Sequence, residues 1–481
     1  LGRKALAGFP YLAVVTALVI AAGCRQTGST MPDPASSFSP SGEVSSRELG
    51  IYSGTVRVGD MQVSLKNGTW DGLMPAVEAY QRVLLRVSFK GQGFTIDSGQ
   101  SAWVGDGLDL LGSAGWMDFG AGRWEFTARS TEKGRFESVQ RTAFGKPSRD
   151  TISLPDGALA SDVLPFFLAR QPSGGESGGE IALFNLNLGQ EIPLTWSDGG
   201  QTPFGRLFTV SYWGMEERIW LDDKGLVARE EMLLGVQARE PGEGETQGNL
   251  PLESVLSMAS VPANGVPPDL ASLDEAVFAL EGTFRRPPEG PWQKVSVRED
   301  RTLVTVSRPR IEAGPDDNPG DVDGVSDPFA LDLDSPAILE LAGRITEGKT
   351  RSWDKGVAIC QWVYRNLEKT MRESFSALQV LGSGEGECQS HSLLAVSLCR
   401  ASGVPARFAY GVVFLPDRGA FFFHTWVEIH AGEWIPMDPT LGHFPSGADR
   451  LTLAVGGYRD QFRIFPYIMG NGGWRITFVE D

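Results

Sequence analysis

Cys388, His424 and Asp438 are the residues of this 481-residue chain whose types and spacing could do covalent chemistry. Three glycines precede Cys388 in GSGEGECQSHSLLAVSLCRASGVPAR. An apolar helical pattern then runs through Leu394, Leu398 and Ala401, and stops at Gly403 with Pro405 beyond. Cys388 is therefore expected at a helix N-terminus. Unpaired N–H groups and the helix dipole there favour a thiolate, lower the thiol pKa and offer donors to an oxyanion. In FFFHTWVEIH, Phe422, His424, Trp426 and Glu428 share one strand face. A three-residue loop, Ala431-Gly432-Glu433, pairs His430 with Trp434 and Trp426 with Asp438. Asp438 then lies on the His424 face, as a diagonal neighbour about 7–8 Å away. A two-residue loop would turn Asp438 to the opposite face. A thiol, an imidazole and a carboxylate that orients the imidazole are the parts of acyl transfer through a thioester.

A few helices and a hairpin must position these groups. Ser335-Pro336 reads as a helix start. A second helix is expected from Ser352 to Lys369, with Trp353, Val357, Cys360, Tyr364 and Leu367 on its apolar face. Cys360 then reads as a buried free thiol, as does Cys399 in mid-helix, with a Cys360–Cys399 disulfide as the alternative in an exported protein. A strand is expected over Ala406–Leu415, followed by the turn PDRG.

Upstream, residues 48–310 read as a largely antiparallel β-rich domain, interrupted near residue 175 by GGESGGE. The turn Asp222-Asp223-Lys224-Gly225 suits a connection between strands. No histidine precedes residue 391, so this region reads as structural rather than catalytic. Residues 311–326 read as an acidic linker. EAGPDDNPGDVDG lacks the oxygen spacing and distal glutamate of an EF-hand.

The N-terminus sets an expected compartment. Arg3 and Lys4 lead into an apolar run ending VIAAGC, which resembles a bacterial lipoprotein signal over residues 1–23, with Cys24 as the lipidated residue. Residues 24–47, rich in Ser, Pro and Gly, read as a flexible tether. The protein is then expected to be exported and lipid-anchored to a bacterial membrane, on the periplasmic side in a Gram-negative cell. The balance of 43 basic against 60 acidic residues gives a net charge of −17, which argues against nucleic acid as a partner. All four histidines (391, 424, 430 and 443) fall near Cys388, yet His424 and His430 lie too far apart on one strand for one metal. With no CxxC pair either, no metal and no cofactor are expected.

GECQSHSLLAVSLCRASGVPAR and HTWVEIHAGEWIPMDPT together resemble the transglutaminase-like superfamily of papain-like thiol enzymes, over about residues 327–481. The matching features are the Gly-x-Cys opening, the Cys-Arg-Ala-x-Gly-x-Pro-Ala-Arg run, the Asp-Pro-Thr ending and the order Cys, His, Asp. The resemblance implies Cys388 as nucleophile, His424 as base and Asp438 as orienting acid, with the cysteine helix packed on an antiparallel sheet. The expected fold class is α+β, with a papain-like transglutaminase core after the β-sheet domain. The expected activity is thiol-dependent acyl transfer on a protein or peptide substrate. Hydrolysis by a peptidase or amidase is favoured over cross-linking, because water is always present. A non-catalytic scaffold is the third reading, disfavoured because all three residues are present.

Overall fold

The computed structural model describes residues 33–479, apart from 90–91, 119–122, 142–146, 173–176, 187–189, 213–214, 232–235, 252–259, 282–285, 299–300, 312–329, 371–373, 375, 465–466 and 468–473. The signal sequence with Cys24 and the acidic segment 312–324 lie outside the described residues. The chain divides into two compact units, Leu1–Val255 and Leu256–Asp481. Among the described residues, no helix is long and apolar enough to cross a membrane.

In the first unit, Phe38–Ser53, Val56–Trp70, Met74–Phe89 and Gln92–Gly105 pair in succession as antiparallel neighbours. The meander continues through Leu110–Asp118, Arg123–Glu132, Arg135–Arg141 and Ser148–Ser153. Phe38–Ser53 also pairs with Val236–Arg239, which leads a second series back to Gly178–Asn185. Period-two patterning builds it: Val83, Leu85 and Val87 are buried, while the alternate positions Arg82 and Arg86 pair with Asp97 and Asp60.

Two expectations are corrected here. The described strands on either side of residue 175 belong to one sheet, so the interruption expected there does not divide it. Residues 38–47 are strand rather than tether. Their side chains are largely exposed and polar, but backbone pairing with 56–70 fixes them in a long hairpin, and composition alone does not report that pairing. The 222–225 turn forms as expected, with Gly225 at φ 81° and Asp222 Oδ1 accepting from the Lys224 and Leu226 amides. One face of this sheet also carries acid. Tyr212 O–H donates to Glu217 at 2.7 Å, and buried Glu230 adjoins Glu217.

The second unit holds strands β1 (Ser260–Asn264), β2 (Glu275–Glu281), β3 (Gln293–Arg298), β4 (Arg301–Ser307), β5 (Ala406–Leu415), β6 (Ala420–His430), β7 (Trp434–Met437), β8 (Arg450–Gly456) and β9 (Arg475–Val479). Its longer helices are α1 (Pro336–Ile345), α2 (Ser352–Asn366), α3 (Ala377–Ser383) and α4 (Cys388–Ala401). The sheet order is β3-β4-β2-β9-β1-β6-β5-β8, with β7 also on β6. β1–β4 were expected in the preceding domain and belong to this one, since β2 pairs with β9 from the far end of the chain. Alternation identifies a strand but not its partner.

β5 pairs along the whole of one edge of β6, from Ala406↔Ile429 to Leu415↔Ala420. On the other edge, β1 covers residues 420–422 and β7 covers residues 427–430. Among the described residues no strand pairs with 423–426 on that edge, and α4 docks against it: Ser392 Oγ donates to the Thr425 carbonyl at 3.1 Å. α4 is buried all round from Ser390 to Cys399, which explains its apolar and small residues on every face.

α2 packs on the same strand through Gly356, where an added Cβ would run into the Ile429 side chain. This close approach sets the helix's rotation. The buried face is Ser352, Gly356, Ile359, Cys360 and Val363, whereas Tyr364, expected on the apolar face, is 39% exposed. Cys360 and Cys399 are both fully buried, free and neighbouring thiols.

Candidate active site

The β6–β7 hairpin has the expected register: His430 pairs with Trp434 around the loop 431–433, and Val427 pairs with Met437. Gly432 supplies the positive φ, 87°, that this short loop requires. Asp438 follows on the His424 face. His424 Nε2 donates to Asp438 Oδ2 at 2.8 Å, and both residues are buried. The imidazole lies near-parallel to the Trp426 ring, 6.2 Å away between centroids. Gly411, on β5, is the cross-strand partner of His424 and leaves room for that indole. A Cβ there would come within 2.8 Å of Trp426 and collide with the Leu451 carbonyl.

Asp438 is held by four donors. Oδ2 accepts from His424 and from Arg450 Nη1, at 2.8 and 2.6 Å. Oδ1 accepts from the Thr440 and Leu441 amides at 2.9 and 2.8 Å. Burial alone would raise its pKa, but the His424 and Arg450 charges and these hydrogen bonds hold it well below the usual carboxylate range. It is a carboxylate with a fixed direction, and His424 Nε2–H is locked toward it.

Arg450 is buried and satisfied on every side. Nε and Nη2 donate to Asp449 at 3.0 and 3.2 Å, and Nη2 donates to His443 Nδ1 at 2.8 Å. His443 therefore accepts at Nδ1 and is neutral; burial and then the Arg450 charge push its pKa down. Neither Arg450 nor Asp449 was legible as a site residue, and His443 was weighed as a metal ligand. The loop 439–449 brings β8 back beside Asp438, and no spacing rule reports that.

Cys388 is the first residue of α4, with Glu387 as its N-cap. The sulfur lies against the same stretch of β6, where a backbone hydrogen bond from Thr425 favours the thiolate. Its own hydrogen bond runs to Glu387 Oε2, at 3.3 Å, and not to His424. His424 Nδ1 has no hydrogen-bond partner among the described residues. The structure thus joins His424 to Asp438 directly, and Cys388 to the pair through Thr425, one residue along from His424.

Two electrostatic expectations are overturned. The Cys388 thiol is raised well above its ordinary value, first by burial and then by the Glu387 carboxylate, so it rests as a thiol. The residue as a whole is partly exposed, but close packing around the sulfur governs its ionisation. The helix-start amides of Gln389 and Ser390 are also occupied, donating to Glu387 Oε2 and Oε1 at 2.6 and 2.7 Å. A carboxylate immediately before the helix was the available signal for both effects. His391, one turn further along α4, is fully buried and uses Nδ1–H toward the Glu387 carbonyl at 2.9 Å. Among the described residues, no group of three or more His, Cys, Asp or Glu is arranged to hold a metal.

Residues 339–439 match the transglutaminase-like superfamily. The match runs from within α1 to just past Asp438, and so includes Cys388, His424 and Asp438. It supports a thiol-dependent peptidase or acyltransferase at that coarse level. No curated protein matches the chain. Among solved structures, a candidate cysteine protease from Cytophaga hutchinsonii is similar over 43% of this chain and 86% of its own, at 16% identity and a TM-score of 0.29. A beta-barrel-like protein of unknown function from Brucella abortus is similar over 41% of this chain and 94% of its own, at 12% identity and a TM-score of 0.28. A candidate protease from Parabacteroides distasonis covers 77% of this chain and 65% of its own, at 12% identity and a TM-score of 0.18. At these scores nothing about activity passes from those proteins to this chain.

Proposed function

We propose that the second unit is a papain-like thiol hydrolase of peptide or amide bonds, with Cys388 as nucleophile, His424 as base and Asp438 as orienting acid. The observation that carries this reading is the 2.8 Å hydrogen bond from His424 Nε2 to a buried, ionised Asp438. It leaves Nδ1 as the basic nitrogen, on the strand that the Cys388 helix start meets. Nδ1 takes the thiol proton and the sulfur attacks the carbonyl carbon, expelling the amine, which leaves with a proton from the imidazolium. Water then resolves the thioester and regenerates the thiol. A protein amine in place of water gives cross-linking. With Gln389 and Ser390 occupied, the Cys388 amide is the helix-start donor left for the oxyanion, since it meets no acceptor among the described residues.

The deciding experiment is release of amine from a peptide mixture by the intact chain. Cys388→Ala must abolish release while the circular dichroism spectrum is kept, and retained release sinks the assignment. Incorporation of a labelled primary amine in place of hydrolysis would select the cross-linking reading. The same protein is proposed to be tethered at a bacterial membrane through lipid on Cys24. Cys24→Ser should move it from the detergent to the aqueous phase.

A further inference from the structure

Glu387 touches the sulfur and the helix start at once. Oε2 accepts from the Cys388 thiol at 3.3 Å and from the Gln389 amide at 2.6 Å. Oε1 accepts from the Ser390 amide and hydroxyl, at 2.7 and 2.9 Å. Four donors fix this carboxylate beside the nucleophile, in the position a helix N-terminus offers to an anion. A solvated surface glutamate would not be held in this way. The charges that reach the sulfur are those of Glu387 and of Asp438, from the loop after β7. Of the nearby histidines, His424 on β6 is bonded to Asp438, and His391 on α4 faces the Glu387 and Asp438 charges. Lys369 faces His391, not the sulfur.

Resting on the proposed nucleophile, the geometry assigns Glu387 a double role: its carboxylate holds the thiol proton at rest, and it excludes anionic acyl groups from the carbon the sulfur attacks. The preferred substrates are therefore amides that are neutral or cationic around the scissile carbonyl. A substrate with a carboxylate next to that carbonyl meets a fixed like charge a few ångströms away. Proton removal from the sulfur creates a second negative charge beside the first, so the thiolate forms only as the proton passes to His424.

The test uses the intact chain and two small electrophiles that differ in charge, iodoacetamide and iodoacetate. In each case the thiolate displaces iodide from the CH2 carbon to form a thioether. Rates are followed from pH 5 to 10 in the native chain and in Glu387→Gln, with Cys388→Ala as the background. Removing a like charge at this range lowers the reactivity midpoint by about one pH unit or more. At neutral pH the thiolate fraction then rises about tenfold, while its lower basicity removes about threefold in nucleophilicity, leaving a net gain of about threefold with iodoacetamide. Iodoacetate gains about a further fourfold, from loss of charge repulsion. Glu387→Ser, whose hydroxyl also caps a helix, is the second neutral variant should Glu387→Gln fail to fold. An unchanged midpoint and an unchanged ratio of the two rates, with Cys388 still reacting, overturn the assignment and leave the nucleophile standing. No labelling above the Cys388→Ala background in any variant overturns the nucleophile itself.

Discussion

Asp438→Asn tests the site more sharply than removal of the cysteine. The aspartate offers two oxygens to four donors: His424 and Arg450 on one, Thr440 and Leu441 on the other. Asparagine offers one acceptor oxygen and a donor NH2. Whichever way the amide turns, two buried donors face its nitrogen. At about 1–3 kcal/mol for each buried group left unsatisfied, the change costs about 2–6 kcal/mol. For a unit of this size that lowers Tm by on the order of 10 °C. The chemistry suffers separately. If the new NH2 faces His424, the imidazole must turn its proton to Nδ1 and can no longer accept one from Cys388, a loss of about 10³–10⁴-fold in turnover. If the oxygen faces His424, the imidazolium still lacks its counter-charge. The native carboxylate has a depressed pKa, so its stabilisation is complete above the ordinary Asp range and fades only as pH falls below about 4. Calorimetry of the intact chain at pH 7 and pH 3, with amine release at pH 7, reads all of this. A variant that melts within about 1 °C of the native chain and turns over within about tenfold of it would refute the reasoning.

Other perturbations follow from the same geometry. Arg450→Met leaves Asp438 and Asp449 buried without their cation, and should cost about 3–5 kcal/mol in urea unfolding. In the first unit, burial and then Glu217 push the Glu230 carboxyl well above its usual range. The folded state then holds a proton that the unfolded state releases, so stability falls as pH rises above the ordinary Glu range. Glu230→Gln removes that dependence: it should raise the melting temperature at pH 7 and change nothing near pH 3, where the native side chain is neutral folded or unfolded. His391 and His443 are both depressed by burial, so the second unit should lose stability as pH falls from 7 through their unfolded range. His391→Gln should flatten that acid limb in a pH series of melts.

The site was legible where local rules act alone. Gly403 and Pro405 end α4 as read, and a three-residue loop with the hydrophobic alternation of β6 fixes the register that brings Asp438 to His424. Tertiary placement was not legible. Trp353, Val357 and Tyr364 gave a good helical stripe, yet Gly356 against Ile429 rotates α2 away from it. The helix start at Cys388 was legible, but the anion that uses it is Glu387, and burial together with that carboxylate moves the thiol up and not down. β1–β4 read as strands, and only their pairing with β9 and β6 shows which unit owns them.

The edge of β6 on which α4 docks has a consequence for when the site forms. The strands that pair there, β1 and β7, come from segments far apart in the chain, and the helix docked between them carries the Cys388 sulfur. In an extended chain Cys388 is without its contact to β6 and His424 is without Asp438. The arrangement of Cys388, His424 and Asp438 therefore exists only once segments far apart in the chain have come together.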